Sequence, residues 1–244
     1  MHPLTLHLTR GVAASTLDDA RALHNSFTGD GPQPGSEIAR ALGDLSHNVY
    51  TPAKGIEGAL AAGPGELLFV DYWADANGME TFFANPFAQE AGDRLYASRD
   101  ESEWDCAPAG FGFNLPVPFG MAPQFIGMMR APVRSADETI AAVGKLVSAG
   151  LSTARRRGQI SHALFIRHAD RATQRPAANI RRIRGETYAQ PAPATEILAL
   201  DWWSTLDGLQ EHYNDAAVIG SLNDAVAGPP ETVVWQQEAG FSEW

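Results

Sequence analysis

The chain has 244 residues, 44% of them hydrophobic, enough to bury one large core or two domain-sized ones. Its formal net charge of -11 and pI near 5.0 repel phosphate backbones, so nucleic acid is not an expected partner. One cysteine, Cys106, excludes a disulfide framework and a thiolate metal cage, which fits a reducing cytoplasm.

In chain order, the first segment alternates apolar and polar residues through Leu4-Thr5-Leu6-His7 and reads as a strand, Leu4 to Thr9, in place of a signal peptide. A helix is predicted from Leu17 to Phe27, because Leu17, Ala20, Leu23 and Phe27 recur at helical spacing. Ser15 stands three residues before Asp18, a hydroxyl-to-carboxylate spacing that satisfies free N–H groups at a helix start. Strands follow at Ser46–Tyr50 and Leu67–Trp73, then a helix around Gly78–Ala84 continuing past Pro86, then a last strand within Glu103–Phe113. No segment approaches the roughly 20 apolar residues of a membrane helix, and no membrane partner is expected.

The order then repeats. Glu66-Leu67-Leu68-Phe69-Val70-Asp71-Tyr72-Trp73 aligns with Glu196-Ile197-Leu198-Ala199-Leu200-Asp201-Trp202-Trp203 at an offset of 130, and the register holds through Gly78-Met79 against Gly208-Leu209. Ala109-Gly110-Phe111 matches Ala239-Gly240-Phe241 at the same offset, and Ser46-His47 corresponds to Ser161-His162. Ser135 before Glu138 opens a first helix in the second half, with Ile140, Val143 and Val147 on one face. The Pro- and Gly-rich stretch Leu115–Pro123 is the expected linker, dividing the chain into repeats 1–118 and 119–244. The connection between the second and third strands is 15 residues longer in the second half, and Arg167–Gln190 is expected to be an excursion there. Nine of the 18 basic residues fall within positions 155–184, a segment expected to be solvated or to pair with the acidic surface of the first half, with an anionic substrate as the other reading.

The segment Asp201-Trp202-Trp203-Ser204-Thr205-Leu206-Asp207-Gly208-Leu209-Gln210-Glu211-His212-Tyr213 resembles the third strand and following helix of the antibiotic biosynthesis monooxygenase family. The first half keeps Trp73 and Gly78 but has Phe82 where His212 stands. The resemblance implies an α+β fold: two ferredoxin-like βαββαβ repeats with antiparallel sheets, packed as a dimeric α/β barrel within one chain. Family members include cofactor-independent oxygenases, haem degraders and proteins without assigned chemistry, so the resemblance bears on fold more than on activity.

Because the second and third strands are antiparallel neighbours in that topology, His47 should approach Asp71 or Trp73, and His162 should approach Asp201 or Trp203. A carboxylate beside an imidazole sets its tautomer and raises its pKa, which suits a general base. The plainer reading has each histidine capping a strand end and each aspartate accepting backbone N–H bonds. Trp73 and Trp203 are expected as walls of a pocket between the halves for a flat aromatic ligand, with His212 and Arg167 as further contacts to the substrate. Phosphate-loop, nucleophile-elbow, paired-cysteine and zinc-protease motifs are missing. The expected activity is therefore that of a cofactor-independent monooxygenase, or a related enzyme acting on an aromatic or enolisable small molecule, needing no cofactor and no metal. A non-catalytic ligand-binding or structural barrel is the alternative, a haem-binding protein the third reading, and association of two fused chains as a homodimer is compatible with each.

Overall fold

The computed structural model describes residues 4–29, 35–74, 76–107, 112–114, 124–167 and 195–244. The first half contributes β1 (Thr5–Ala13), α1 (Leu17–Thr28), α2 (Gly35–Ala41), β2 (Asp44–Pro52), β3 (Glu66–Trp73), α3 (Ala76–Phe83), α4 (Pro86–Leu95) and β4 (Tyr96–Cys106). A two-residue strand, β5 (Phe113–Asn114), precedes the second half: β6 (Phe125–Pro132), α5 (Ala136–Arg156), β7 (Gln159–Arg167), β8 (Glu196–Trp203), α6 (Leu206–Tyr213), α7 (Ala216–Ala225) and β9 (Glu231–Gln237). The junction expected at 118/119, the linker Leu115–Pro123, the first Ala-Gly-Phe copy and all of the expected excursion except Arg167 lie outside the described residues.

The strands run β4-β1-β3-β2-β9-β6-β8-β7, antiparallel at every neighbouring pair, and β4 closes on β7 through Asp105↔Ile166 and Cys106↔Phe165. The result is an eight-stranded barrel whose two halves share one internal order: last, first, third, second. The halves meet at β4–β7 and at β2–β9, where Tyr50 pairs with Gln237. Closure removes the free strand edges that a single half would expose.

Alternation along the strands decides which residues face inward. Leu68 and Val70 of β3, Leu198 and Leu200 of β8, and Trp104 and Trp235 of the two last strands fill the barrel interior. Their strand neighbours point the other way, onto the helices: Leu67 and Phe69 pack with Ala20 of α1 and Leu95 of α4, and Ile197 and Ala199 pack with Ile140 and Val143 of α5. Two glycines position the helices that follow the third strands. A Cβ at Gly78 would lie 1.8 Å from Leu42 O, and one at Gly208 would lie 1.6 Å from Arg157 O, so only glycine lets α3 and α6 approach the turns leading into β2 and β7.

Three expectations need correction. Helix α1 is capped by Thr16, which accepts from Asp19 N–H, one residue later than the Ser15/Asp18 spacing implied; Ser135 caps α5 as expected. The helix drawn through Pro86 is two helices, because proline has no N–H to continue α3 and instead starts α4 under the Asn85 cap. Strand β4 begins at Tyr96, earlier than expected, since its charged stretch Arg99-Asp100-Glu101 alternates into ion pairs at the barrel mouth.

Candidate active site

In the first half, the ladders place two imidazoles on either side of one buried carboxylate. His47 of β2 and His7 of β1 both stand opposite Asp71 of β3. His47 Nδ1–H donates a short bond to Asp71 Oδ1, while His7 Nδ1 lies 3.5 Å from Oδ2. From α1, His24 brings its Nε2 within 2.9 Å of His47 Nε2, the two rings lying nearly parallel at 7°. His24 Nδ1 is 3.1 Å from Asn25 Oδ1.

The second half finishes this site. His47 N–H donates to Trp244 O (2.9 Å), Val49 N–H donates to Glu243 Oε1 (2.8 Å), and the Trp244 ring stacks on His47 with centroids 4.7 Å apart. Arg40 covers Trp244 at 5.1 Å. Phe241 packs into the cluster formed by Ala20, Phe69 and Tyr96.

Burial would raise the Asp71 pKa, but the charge and hydrogen bond of His47, with His7 behind it, outweigh that and hold the carboxyl down to about 2. Burial likewise works against a charged His47, yet Asp71 raises its pKa above the ordinary histidine value. His24 is pushed down to about 3, first by burial among Phe69 and Phe241 and then by the charge of His47. Asp44, buried and facing the negative Asp71, is pushed up to about 8, which favours its protonated form relative to an ordinary aspartate.

These groups border a cavity of about 110 Å³ between the outer face of the sheet and the first-half helices. His24, His47, Asp44 and Asp71 line it, and the rest of its wall includes eight aromatic side chains, among them Phe69, Trp73, Phe82, Phe83, Tyr96 and Trp244. The pocket expected between the two sheets is thus on the opposite face of β3. The interior of the barrel carries core in place of these groups, because Asp71 and Trp73 alternate with the inward-facing Val70 and Tyr72.

The second half repeats the pairing with different surroundings. His162 Nδ1 is 2.7 Å from Asp201 Oδ1, which also accepts from Gln159 Nε2 (2.5 Å); Tyr213 OH donates to Oδ2 (2.5 Å). Gln159 occupies the register position of Asp44, and Gly127 that of His7. A Cβ at Gly127 would lie 2.3 Å from the Tyr213 ring, so loss of the side chain there makes room for the phenol to reach the carboxylate. At the corresponding first-half position Phe83 stacks on His7 at 3.8 Å instead. Counted from the helix caps, Val143 stands where His24 does. The cavity here is about 60 Å³. Asp201 is held below the ordinary carboxylate range: burial would raise it, but His162 and Tyr213 prevail.

The remaining expected contacts are dispersed. Trp203 is buried against Leu209 and Tyr213 and borders neither cavity, whereas Trp73 lines the first. His212 lies 5.1 Å from the Trp203 ring and lines the smaller cavity, its pKa lowered by burial. Arg167 pairs with Glu196 and lies 5.1 Å over Trp104 at one end of the barrel, bordering neither cavity, because it stands five positions along β7 from His162. That end holds a third cavity of about 420 Å³, where Arg10 pairs with Glu66 and Glu231, and Arg130 with Glu196 and Asp100; among the described residues no imidazole lines it.

His7, His24, Asp44 and Trp244 are the residues that reading the sequence missed. His24 carried a signal: four residues after Ala20 and three before Phe27, it is a polar residue on the apolar face of α1.

No protein-family model and no curated protein sequence matches the chain. Solved structures do. An anthrone oxidase-like protein superposes with a TM-score of 0.60 at 13% identity, covering 98% of this chain and 92% of its own. A protein from Lactobacillus acidophilus, provisionally described as a monooxygenase, gives 0.54 at 9% identity over 96% and 93%. Another so described, from Fusobacterium nucleatum, gives 0.53 at 8% over 100% and 98%. Together with the strand order, these likenesses make the fold a dimeric α/β barrel closed within one chain; at such identities they speak to fold alone.

Proposed function

We propose that the first-half cavity binds a flat aromatic substrate carrying an enolisable proton, and that its imidazoles and carboxylate remove that proton so that the resulting anion reacts directly with dioxygen. The observation that carries this reading is a buried His47–Asp71 pair in the wall of a cavity that eight aromatic side chains also line. Aromatic walls favour a planar ring and exclude water, which would otherwise solvate the anion and slow its reaction. In its protonated form, which burial and Asp71 favour, the Asp44 carboxyl supplies an O–H donor for the oxyanion that forms as the proton leaves. For a methylene substrate the reaction balances as a methylene group and a dioxygen molecule giving a carbonyl group and a water molecule: the carbanion adds to oxygen, and the peroxide so formed takes up a proton and loses water.

The second half is read as a structural copy. Its carboxylate is saturated by Gln159, His162 and Tyr213, and its cavity is about half as large. The shared fold with an anthrone oxidase-like protein supports anthrone as the first probe.

The test is oxygen uptake with anthrone in the presence of a metal chelator, with spontaneous oxidation subtracted. Wild type and His162→Ala are expected to turn over, and His47→Ala to fall by about 100-fold or more, the usual worth of a general base. Equal rates for wild type and a folded His47→Ala would end the assignment.

A further inference from the structure

We infer that His24 and His47 share one proton and act as a single base, in which the proton enters at His24 and the charge is held on His47. The catalytic meaning of this pair rests on the reading above, but its protonation does not. With 2.9 Å between the two Nε2 atoms there is room for one hydrogen: two N–H groups would collide, and two lone pairs would repel. At the inner end, the Asp71 carboxylate requires an N–H on His47 Nδ1.

The outer end is set by Asn25, whose amide is oriented by two backbone groups of the second half. Its Oδ1 accepts from Ser242 N–H (2.8 Å), and its Nδ2 donates to Gly240 O (2.8 Å). An oxygen therefore faces His24 Nδ1 and calls for an N–H there. Every atom is satisfied only when His47 carries both its protons and His24 carries one, on Nδ1. The pair then bears one positive charge, on His47, beside Asp71.

Removing one proton moves the shared hydrogen to His24 Nε2 and strips Nδ1, which is left with a lone pair 3.1 Å from Asn25 Oδ1. Proton uptake reverses this. The substrate's C–H bond breaks, its electron pair stays on the substrate, and the proton bonds to His24 Nδ1. The Nε2 proton passes to His47, and the charge appears next to the carboxylate. His24 is itself a weak base, buried against Phe69 and Phe241, yet it never keeps the charge. The other ionisable groups around the pair are His7, Asp44 and Glu243, with Arg40 beyond Trp244. Both rings line the cavity, and His47 Nε2 is taken up by His24 Nε2, so the free end of the pair lies on His24.

Nitrogen-15 histidine NMR of the intact chain, without substrate, tests the arrangement. At pH 6, His24 is expected as the Nδ1–H tautomer, His47 as the doubly protonated ring, and one strongly deshielded proton should correlate with both Nε2 atoms. The two rings should titrate together, and Asn25→Ala should move that titration down by about half to one pH unit by removing an acceptor of the loaded state. Rings that titrate independently, or a His24 that holds its proton on Nε2 at pH 6, would overturn the proposal. If the shared proton is present and no oxygen uptake is found, the oxygenase reading fails alone. If a folded His24→Phe retains the wild-type kcat, the relay fails and the oxygenase reading stands.

Discussion

Replacing Asp71 with Asn tests the electrostatics on which the site depends. The side chain keeps its size, but the buried charge that compensates His47 is lost. Breaking a buried pair by removing one partner costs about 3–5 kcal/mol when the other charge must stay. His47 can release its proton, so the loss should be nearer 2–3 kcal/mol, or about 4–12 °C in Tm for a chain of this size. The Asp71 pKa gives a similar figure: a drop from 3.8 to about 2 corresponds to about 2 kcal/mol. The signs can be read from thermal unfolding between pH 5 and 9. His47 has a raised folded pKa, so its contribution is complete below about 6.5 and is lost as pH rises through the folded value. Asp71 has a depressed folded pKa, so its contribution is present above about 4 and is lost as pH falls through about 2. Asp44, raised partly by Asp71, adds to the wild-type decline with rising pH. The wild-type advantage should therefore be largest near pH 5–6 and shrink toward pH 9. Parallel Tm curves for the two proteins would refute the pairing.

Three further outcomes are expected. Tyr213→Phe removes a donor from buried Asp201 and should cost about 1–3 kcal/mol in urea unfolding while leaving oxygen uptake unchanged. Gly127→Ala drives a methyl into the Tyr213 ring, for which over-packing predicts a loss of about 1–3 kcal/mol, and Tyr213→Ala in the same chain should relieve the clash, as a double-mutant cycle would measure. If the His24–His47 pair is the base, kcat/KM should rise with pH through a midpoint above 6.5, because the unloaded form accepts the proton; a rate that falls with pH across that range would contradict it.

The order of the main strands and the pairing of His47 with Asp71 and His162 with Asp201 were legible in the sequence, whereas α2 was not. Two-residue alternation and antiparallel neighbours bring those positions together with little help from the rest of the chain. The face was another matter. Leu67-Leu68-Phe69-Val70 is apolar on both sides, so periodicity could not say whether Asp71 and Trp73 looked into the barrel or toward the helices. Nor could it separate the two halves, since Phe83 against Tyr213 and His7 against Gly127 have meaning only where the side chains meet. The site itself draws on β1, α1, β2, β3 and residues 240–244, which lie up to 237 positions from His7 in the chain. Local pattern determined the main strands, the first helix of each half and the two imidazole–carboxylate pairs because these depend on near neighbours. Barrel closure decided the rest, because only burial against distant segments fixes which face receives the helices and which nitrogen finds a partner.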